Sequence, residues 1–577
     1  MIRSQAEKQY VKEIESAYDS EVSADGLHIT DAEVPQAICD IVTSIVGSGS
    51  ENDLSDDTDL FSYGADSVAC IQIRLGLARL VSGATALPPS VVEDSGTIAR
   101  LADFIIRLRS GQDVKEHDNQ LQLMSDLVKE YSVQPRAKDL NSFTLTPNSD
   151  RPQVRLKVLL TGPTGSLGSH LLHQLLQDPR VEHIYLLVRG AITHAAHERV
   201  TKTLSSRGLT IPSNFDTKTT TLSCKLSSPS LGPEVFPYEE LANNIDLIIH
   251  LAWSVNFLIL LRSIAGTHLA GLQNLLRLAL ASPENKPPPR LIFCSSVAAV
   301  SNFQSATTSV NSSDIGIPEQ FISDPHVSGP TSYACSKWVG EAICAEAHKT
   351  TRLKGRISVT RVGQLSGATD TGIWSKSEAY PLLLSSMKVT GALPELKDEI
   401  LNWLPVDLAA QAFVEACLQE GALDPPTNNL PTKLDSGPDE MPLRHVLNHT
   451  TAVRWADLVK WLVPNADFKV VPVDEWLEKL GAMQDDDRTK DHPALRLLTF
   501  WRNAYESVPG GRPEHTNGGE QDERDGGEEA QMAGEGEWKV GYQIEATFRS
   551  MPILKSAPEF MDEAYVLKLW KCVEAEL

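Results

Sequence analysis

Apolar positions along this chain change their period twice. From Val34 to Ile45, Val68 to Leu80 and Ile98 to Leu108 they recur every three or four residues, the spacing of one buried helix face. A Pro- and Ser-containing break at Leu87 to Ser90 interrupts the run, which predicts a small bundle of three or four helices within roughly 80 residues. From Arg155 the period shortens: the runs KVLLTG, HIYLLVRG, DLIIHLAW, RLIFCSS and ISVTRVG alternate with helical patterns. Such alternation predicts a parallel sheet wrapped by helices, with ligands bound at the carboxyl ends of its strands. Helical spacing returns alone at Trp455–Leu462, Val473–Leu480, Ala494–Tyr505 and Met561–Val573. The expected architecture is α/β: a small helical bundle, then a doubly wound parallel sheet, then a smaller, mostly helical C-terminal subdomain.

The intervening stretches complete this division. Residues 1–20 read as one charged helix, 30–110 as the bundle and 111–154 as a polar linker with a helix at Leu121–Tyr131. Residues 155–577 read as the sheet domain, with its core at about 155–375 and 403–420 and its helical subdomain at about 376–402 and 430–577. Residues 509–537 are Gly- and Glu-rich without apolar periodicity, and read as a disordered surface insert.

Composition narrows the classes. A length of 577 residues suggests three or four domain-sized units, and a net charge of −24 with no basic stripe argues against a nucleic-acid surface. Eight cysteines stand singly, with neither a CxxC pair nor ligand-like spacing to histidine, the pattern of reduced thiols; no metal site is expected. The N-terminus has no apolar signal core. Leu247 to Ile264, broken by His250, Asn256 and Arg262, reads as a buried strand running into a helix and not as a membrane span. The expectation is a soluble cytoplasmic protein.

Candidate chemistry begins at LKVLLTGPTGSLGSHLLHQ. A strand enters a turn carrying Gly162, Gly165 and Gly168, with Thr164, Ser166 and Leu167 between them, and a helix follows. In such a βα unit the first glycine permits the tight turn and the second lets backbone approach a pyrophosphate. The third lets helix pack on strand, which leaves the phosphates at the positive helix end. The next strand ends in Arg189, where NAD enzymes carry an acidic residue for the ribose 2′-hydroxyl; arginine suits a 2′-phosphate and favours NADPH. Further on, the strand LIFC ends in Ser295 and Ser296, and TSYACSKWVGEA opens a helix carrying Tyr333 and Lys337. Residues four apart share a helix face, so phenol and ammonium point the same way. An ammonium lowers the pKa of a nearby phenol from its ordinary value of about 10, which lets the phenol protonate a developing alkoxide while a serine hydroxyl holds that oxygen.

Two resemblances organise these residues. Phe61, Gly64, Asp66 and Ser67, followed by Val68 and an amphipathic helix, resemble the phosphopantetheine attachment site of acyl and peptidyl carrier domains. That resemblance implies that Ser67 carries a 4′-phosphopantetheine arm; read alone, Ser67 is an ordinary helix N-cap. The glycine turn with Ser296, Tyr333 and Lys337 resembles the extended short-chain dehydrogenase/reductases, with Ser295 competing with Ser296 for the serine role. Arg361-Val-Gly-Gln-Leu-Ser-Gly367, Gly372-Ile-Trp374, Glu378-Ala-Tyr-Pro381 and Trp403-Leu-Pro-Val-Asp407 narrow this to the terminal thioester reductase domain of fungal synthetase-like carboxylic acid reductases, a family that includes the aminoadipate reductases. The resemblance implies a catalytic Ser296, Tyr333 and Lys337 and an NADPH site formed by Gly162, Thr164, Gly165, Ser166, Leu167, Gly168, Arg189, Tyr333 and Lys337. It implies reductive release of a carrier-bound acyl thioester as aldehyde, or onward to alcohol, in secondary metabolism or amino-acid-like biosynthesis. A phosphopantetheinyl transferase would be a partner; KQYVKEIESAY resembles only the tail of an adenylation domain, so the sequence is either a fragment of a longer chain or a natural carrier–reductase pair loaded by a separate adenylating or acyl-loading enzyme. The alternatives are a reductase or epimerase acting on a free small molecule, or a non-catalytic carrier scaffold.

Overall fold

In the computed structural model, the described residues are 29–46, 54–109 except 57, 59, 64–66, 82–86 and 88–90, then 116–134, 155–190, 193–232, 237–255, 261–306, 316–418 except 398, 440–449, 453–483, 489, 492–505, 541–556 and 560–576. The expected N-terminal helix and the acidic insert lie outside them. The chain divides into two compact units, Met1–Glu130 with Leu258–Leu269, and Tyr131–Phe257 with Ala270–Leu577.

The first unit holds the helical bundle. Its helices are α1 (Val34–Val46), α2 (Ser67–Ala78), α3 (Val91–Ser95) and α4 (Ile98–Arg109). They share one core in which Val34, Ile38, Val42, Leu60, Ile73, Leu77, Ile98, Leu101 and Ile105 are fully buried, the apolar stripe that the spacing predicts. Arg109 ties the last helix back to the first by donating to the Leu80 and Ile29 carbonyls, at 2.7 and 3.1 Å. In the stretch read as a linker, α5 (Glu116–Tyr131) starts five residues earlier than predicted, and Glu130 pairs with Arg262 at 3.1 Å.

The second unit is built on a seven-stranded, all-parallel sheet: β1 (Leu156–Thr161), β2 (Val181–Arg189), β3 (Thr219–Cys224), β4 (Leu247–His250), β5 (Arg290–Ser296), β6 (Ile357–Val362) and β7 (Leu443–Val446). The order is β7-β6-β5-β4-β1-β2-β3, with the crossover between β1 and β4. Strands buried on both faces need continuous apolar runs, and β4 is buried at every position. Helices α6 (Ser166–Gln177), α7 (Thr193–Ser206), α8 (Ala270–Leu280) and α9 (Ser332–Thr350) make the crossovers. α10 (Ala379–Thr390) follows, and α11 (Val406–Leu418) packs on α6.

A second core gathers the C-terminal helices α12 (Trp455–Leu462), α13 (Val473–Ala482), α14 (Leu498–Tyr505) and, past a gap, α17 (Glu563–Glu576) around Trp374, Trp403, Trp455, Trp476, Trp501 and Trp570. Two segments depart from the expected division. Leu443–Val446, which pattern places in the C-terminal subdomain, joins the main sheet as edge strand β7. The turns α15 (Glu545–Ser550) and α16 (Pro552–Ser556) return to the main core through Met551 and Leu554. Both segments are too short and polar for periodicity to place, and β7 is held by specific bonds: the His445 amide donates to Thr547 Oγ1 at 2.8 Å and Arg444 Nε to Ser550 at 2.8 Å.

Candidate functional site

The site is assembled at the carboxyl ends of β1, β4 and β5. β1 ends in Thr161, whose hydroxyl accepts from the Leu251 and Ala252 amides, each at 3.1 Å, and lies 2.8 Å from His250 Nδ1. With both lone pairs taken, the one hydroxyl proton points at Nδ1, so His250 accepts there and is a neutral imidazole. This staples β1 to β4 at the crossover, where open α/β sheets bind ligands.

The glycine turn follows. Gly162 sits at φ 71°, in the left-handed region that favours glycine. A Cβ on Gly168 would stand 2.0 Å from the Gly162 carbonyl oxygen, so only glycine lets α6 start this close to β1. Gly165 is the N-cap, Ser166 opens the helix and Leu167 is buried in the core. The first amides of a helix have no intrahelical partner and carry its positive end, so this cradle fits an anionic pyrophosphate. Arg189 ends β2 and is exposed. Two arginines that motif reading missed join the turn. Arg199 on α7 donates to the Arg189 carbonyl at 2.9 Å and reaches Thr164 Oγ1 at 3.4 Å, and Arg207 reaches Ser166 Oγ at 3.4 Å. Helical spacing from Arg189 carries no signal for either; only the packing of α7 beside the turn brings them there.

The Ser, Tyr and Lys come from β5 and α9. Thr331 caps α9, its hydroxyl accepting from the Ala334 amide at 3.1 Å. One turn apart on that helix, Tyr333 and Lys337 are buried, and the Lys337 ammonium lies 5.7 Å from the Tyr333 ring centre. Lys337 Nζ donates to the Cys294 carbonyl of β5 at 2.7 Å. Burial pushes the Lys337 ammonium down to about 8, with Cys294 and Glu341 acting in the opposite sense.

The two candidate serines part company. Ser295 Oγ donates to Glu341 Oε1 at 2.6 Å, while Ser296 Oγ accepts from the Ala298 amide at 3.2 Å and caps the short helical turn Val297–Val300. Glu341 is in turn gripped by Arg361, with Nε at 3.0 and 3.2 Å from its two oxygens and Nη2 at 2.7 Å; both side chains are 0% exposed. Ser295 is thus committed to a buried ion pair, and Ser296 stands at the strand end. Ser67, the candidate attachment residue, is the first residue of α2. Elsewhere in the same unit, Glu378 accepts from Trp374 Nε1 at 3.1 Å, and burial pushes its carboxyl up to about 7.

Residues 160–413 match the NAD-binding family described as Male sterility protein, and residues 36–105 match the phosphopantetheine attachment site family. The chain joins a phosphopantetheine carrier domain to an NAD-binding reductase domain. The cofactors that go with the pair are 4′-phosphopantetheine and a nicotinamide dinucleotide. Among curated proteins, the chain is 29% identical over 478 residues to the adenylate-forming reductase Nps10 of Heterobasidion annosum, across 80% of this chain and 40% of that protein. The chain therefore spans less than half the length of this relative. Among solved structures, the terminal R domain of the myxalamid PKS-NRPS pathway aligns with TM-score 0.58 and 21% identity over 78% of this chain and 98% of that one. An archaeal thiolation-reductase di-domain from a non-ribosomal peptide synthetase aligns with TM-score 0.52 and 15% identity over 94% of this chain and 97% of that one. At such identities these two report the fold alone. No helix among the described residues is long and apolar enough to cross a membrane.

Proposed function

We propose that this chain releases an acyl group, held as a thioester on a phosphopantetheine arm at Ser67, by NADPH-dependent reduction in the reductase domain, with aldehyde as the first product. The observation that carries this reading is the meeting of the glycine cradle with Tyr333 and Lys337 at the carboxyl ends of one sheet, in a chain that also bears a carrier domain. Gly162 to Gly168 would hold the pyrophosphate, with Arg189 and its neighbour Arg199 offering cations to a 2′-phosphate. NADPH, when bound, supplies the hydride.

The protein's own residues do the rest. Tyr333 gives its phenolic proton to the former carbonyl oxygen, and Lys337 stabilises the negative charge that grows on the phenol as that proton leaves. The Ser296 hydroxyl donates to the same oxygen. That oxygen then returns its proton to Tyr333 as the carbonyl re-forms, the carbon–sulfur electron pair goes to sulfur, and sulfur takes up the proton, so that aldehyde and a free thiol are released. A phosphopantetheinyl transferase would install the arm, and an acyl-activating module or enzyme would load it, in the cytoplasm.

The test is a single turnover of Ser67-loaded protein with NADPH, with loading verified by intact mass. Aldehyde or alcohol in one-to-one yield with the acyl group supports the reading. Loaded protein that keeps its acyl group refutes it, and Ser67→Ala protein that reduces a free acyl thioester as fast as wild type refutes the tethered route.

A further inference from the structure

Among the described residues Lys337 has no direct ion-pair partner, and Glu341, one turn along α9 and spent on Arg361, acts on it only at longer range. What faces the ammonium instead is aromatic: Nζ lies 4.4 Å from the Trp253 ring centre and 5.2 Å from that of Phe293. These rings pack on each other at 5.3 Å and 58°. Two features fix the indole there. Trp253 Nε1 donates to Ser336 Oγ at 3.1 Å, and Ser336 donates to the Tyr333 carbonyl at 2.7 Å, which ties the ring to the backbone of the Tyr–Lys turn. Gly340 leaves room for the pair, since a Cβ there would meet Phe293 Cζ at 2.7 Å and the Trp253 ring edge at 3.5 Å.

We propose that Trp253 is a positioning residue whose indole face holds the Lys337 ammonium beside Tyr333. An aromatic quadrupole attracts a cation without bringing a full negative charge. A carboxylate in the same place would hold the ammonium more firmly but would also cancel its field at the phenol. An aromatic wall keeps the whole positive charge available to Tyr333. The other titratable groups around the ammonium are consistent with this. Burial pushes the Cys294 thiol up, so it is neutral, and His250, stacked on Phe293 at 5.9 Å, is a neutral acceptor from Thr161. The Tyr333 phenol shares this surround, its ring centre 5.7 Å from the ammonium.

The reaction arm of the test rests on the function proposed above; the titration arm does not. With lysines labelled at Cε, NMR of the full chain from pH 6 to 10 reads the Lys337 titration, its signal assigned by its loss in Lys337→Arg. Trp253→Leu removes the π face and should move that titration down by about one pH unit, the size of a desolvated cation–π contact. Trp253→Phe keeps a face and should hold it near the wild-type position. The alkaline limb of NADPH turnover should follow the titration in each variant. Ser336→Ala, which frees the indole without emptying the core, should shift the titration in the same direction by less, and stands in if Trp253→Leu does not fold. A titration that stays in place in Trp253→Leu and Ser336→Ala, or moves equally in the Leu and Phe variants, overturns the proposal. Wild-type protein that consumes no NADPH refutes the proposed reaction instead and leaves the titration to decide the role of Trp253.

Discussion

Replacing Arg361 by methionine tests how the reductase core tolerates charge. The guanidinium and the Glu341 carboxylate are both 0% exposed, and the carboxylate takes three contacts from Arg361 at 2.7 to 3.2 Å and one from Ser295 at 2.6 Å. Methionine fills much of the same volume but leaves a buried carboxylate with one neutral donor, a change that costs about 3–5 kcal/mol. At about 2.1 cal/mol/K of unfolding entropy per residue, a unit of roughly 400 residues has about 0.8 kcal/mol/K, so 4 kcal/mol corresponds to about 5 °C in Tm. Differential scanning calorimetry reads the reductase transition directly. The double variant Glu341→Gln/Arg361→Met removes both charges and keeps an acceptor for Ser295, and should recover at least half of the loss. A single variant that melts within 1 °C of wild type, or a double variant that falls as far as the two singles summed, refutes the reasoning.

Three further outcomes follow from the geometry. Gly168→Ala should abolish NADPH binding measured by fluorescence titration, because its methyl must displace the Gly162 carbonyl, whereas Gly541→Ala, which meets nothing within 4 Å, should bind as wild type. Ser296→Ala should lower single-turnover reduction by at least tenfold with Tm unchanged, and Ser295→Ala should lower Tm with turnover near wild type; the reverse pattern would exchange their roles. Acid should destabilise the reductase unit, because burial holds the imidazole of His170 down to about 4 and, with Arg361 nearby, that of His445 down to about 3. Their folded values lie below the unfolded value near 6.5, so the contribution is full above pH 6.5 and is lost as pH falls toward 4 and 3. Each should remove roughly 2–3 kcal/mol between pH 7 and 4.5, seen as a falling urea midpoint that His445→Gln partly flattens.

The parts of the fold that were legible in sequence are those with strong local signals. Strands β1, β2, β4, β5 and β6 are apolar runs ending in glycine, tryptophan or serine, and the bundle helices carry one apolar stripe each. β3, a Thr-rich strand, and β7, with Arg444 and His445 at its centre, were illegible because their burial depends on partners far along the chain, such as Gly190 for Ser223 and Thr547 for His445. In the site, Tyr333 and Lys337 are marked by helical spacing and Gly162 to Gly168 by the turn. Sequence left Ser295 and Ser296 equivalent; the pleat that turns them to opposite faces becomes visible only with Glu341 in place. Arg199, Arg207 and Trp253 were missed for one reason: each reaches the site from a neighbouring element, at no fixed spacing from the motif it serves.

The Glu341 cluster also acts as a registration mark. Ser295 on β5 and Arg361 on β6 are Cα partners across the sheet, and both close on the same carboxylate presented by α9. Side chains alternate along a strand, so sliding β5 by one residue in one sense would present Ser296 to the ion pair and bring Val297 to the strand end, and in the other would present Cys294 and bring Ser295 there. Cys294 and Val297 offer no hydroxyl, so only the observed alignment gives the carboxylate a serine and leaves a second serine at the strand end. An ion pair that contributes little net stability would then earn its place as a ruler, setting to a single residue which serine the sheet delivers beside the Tyr–Lys turn.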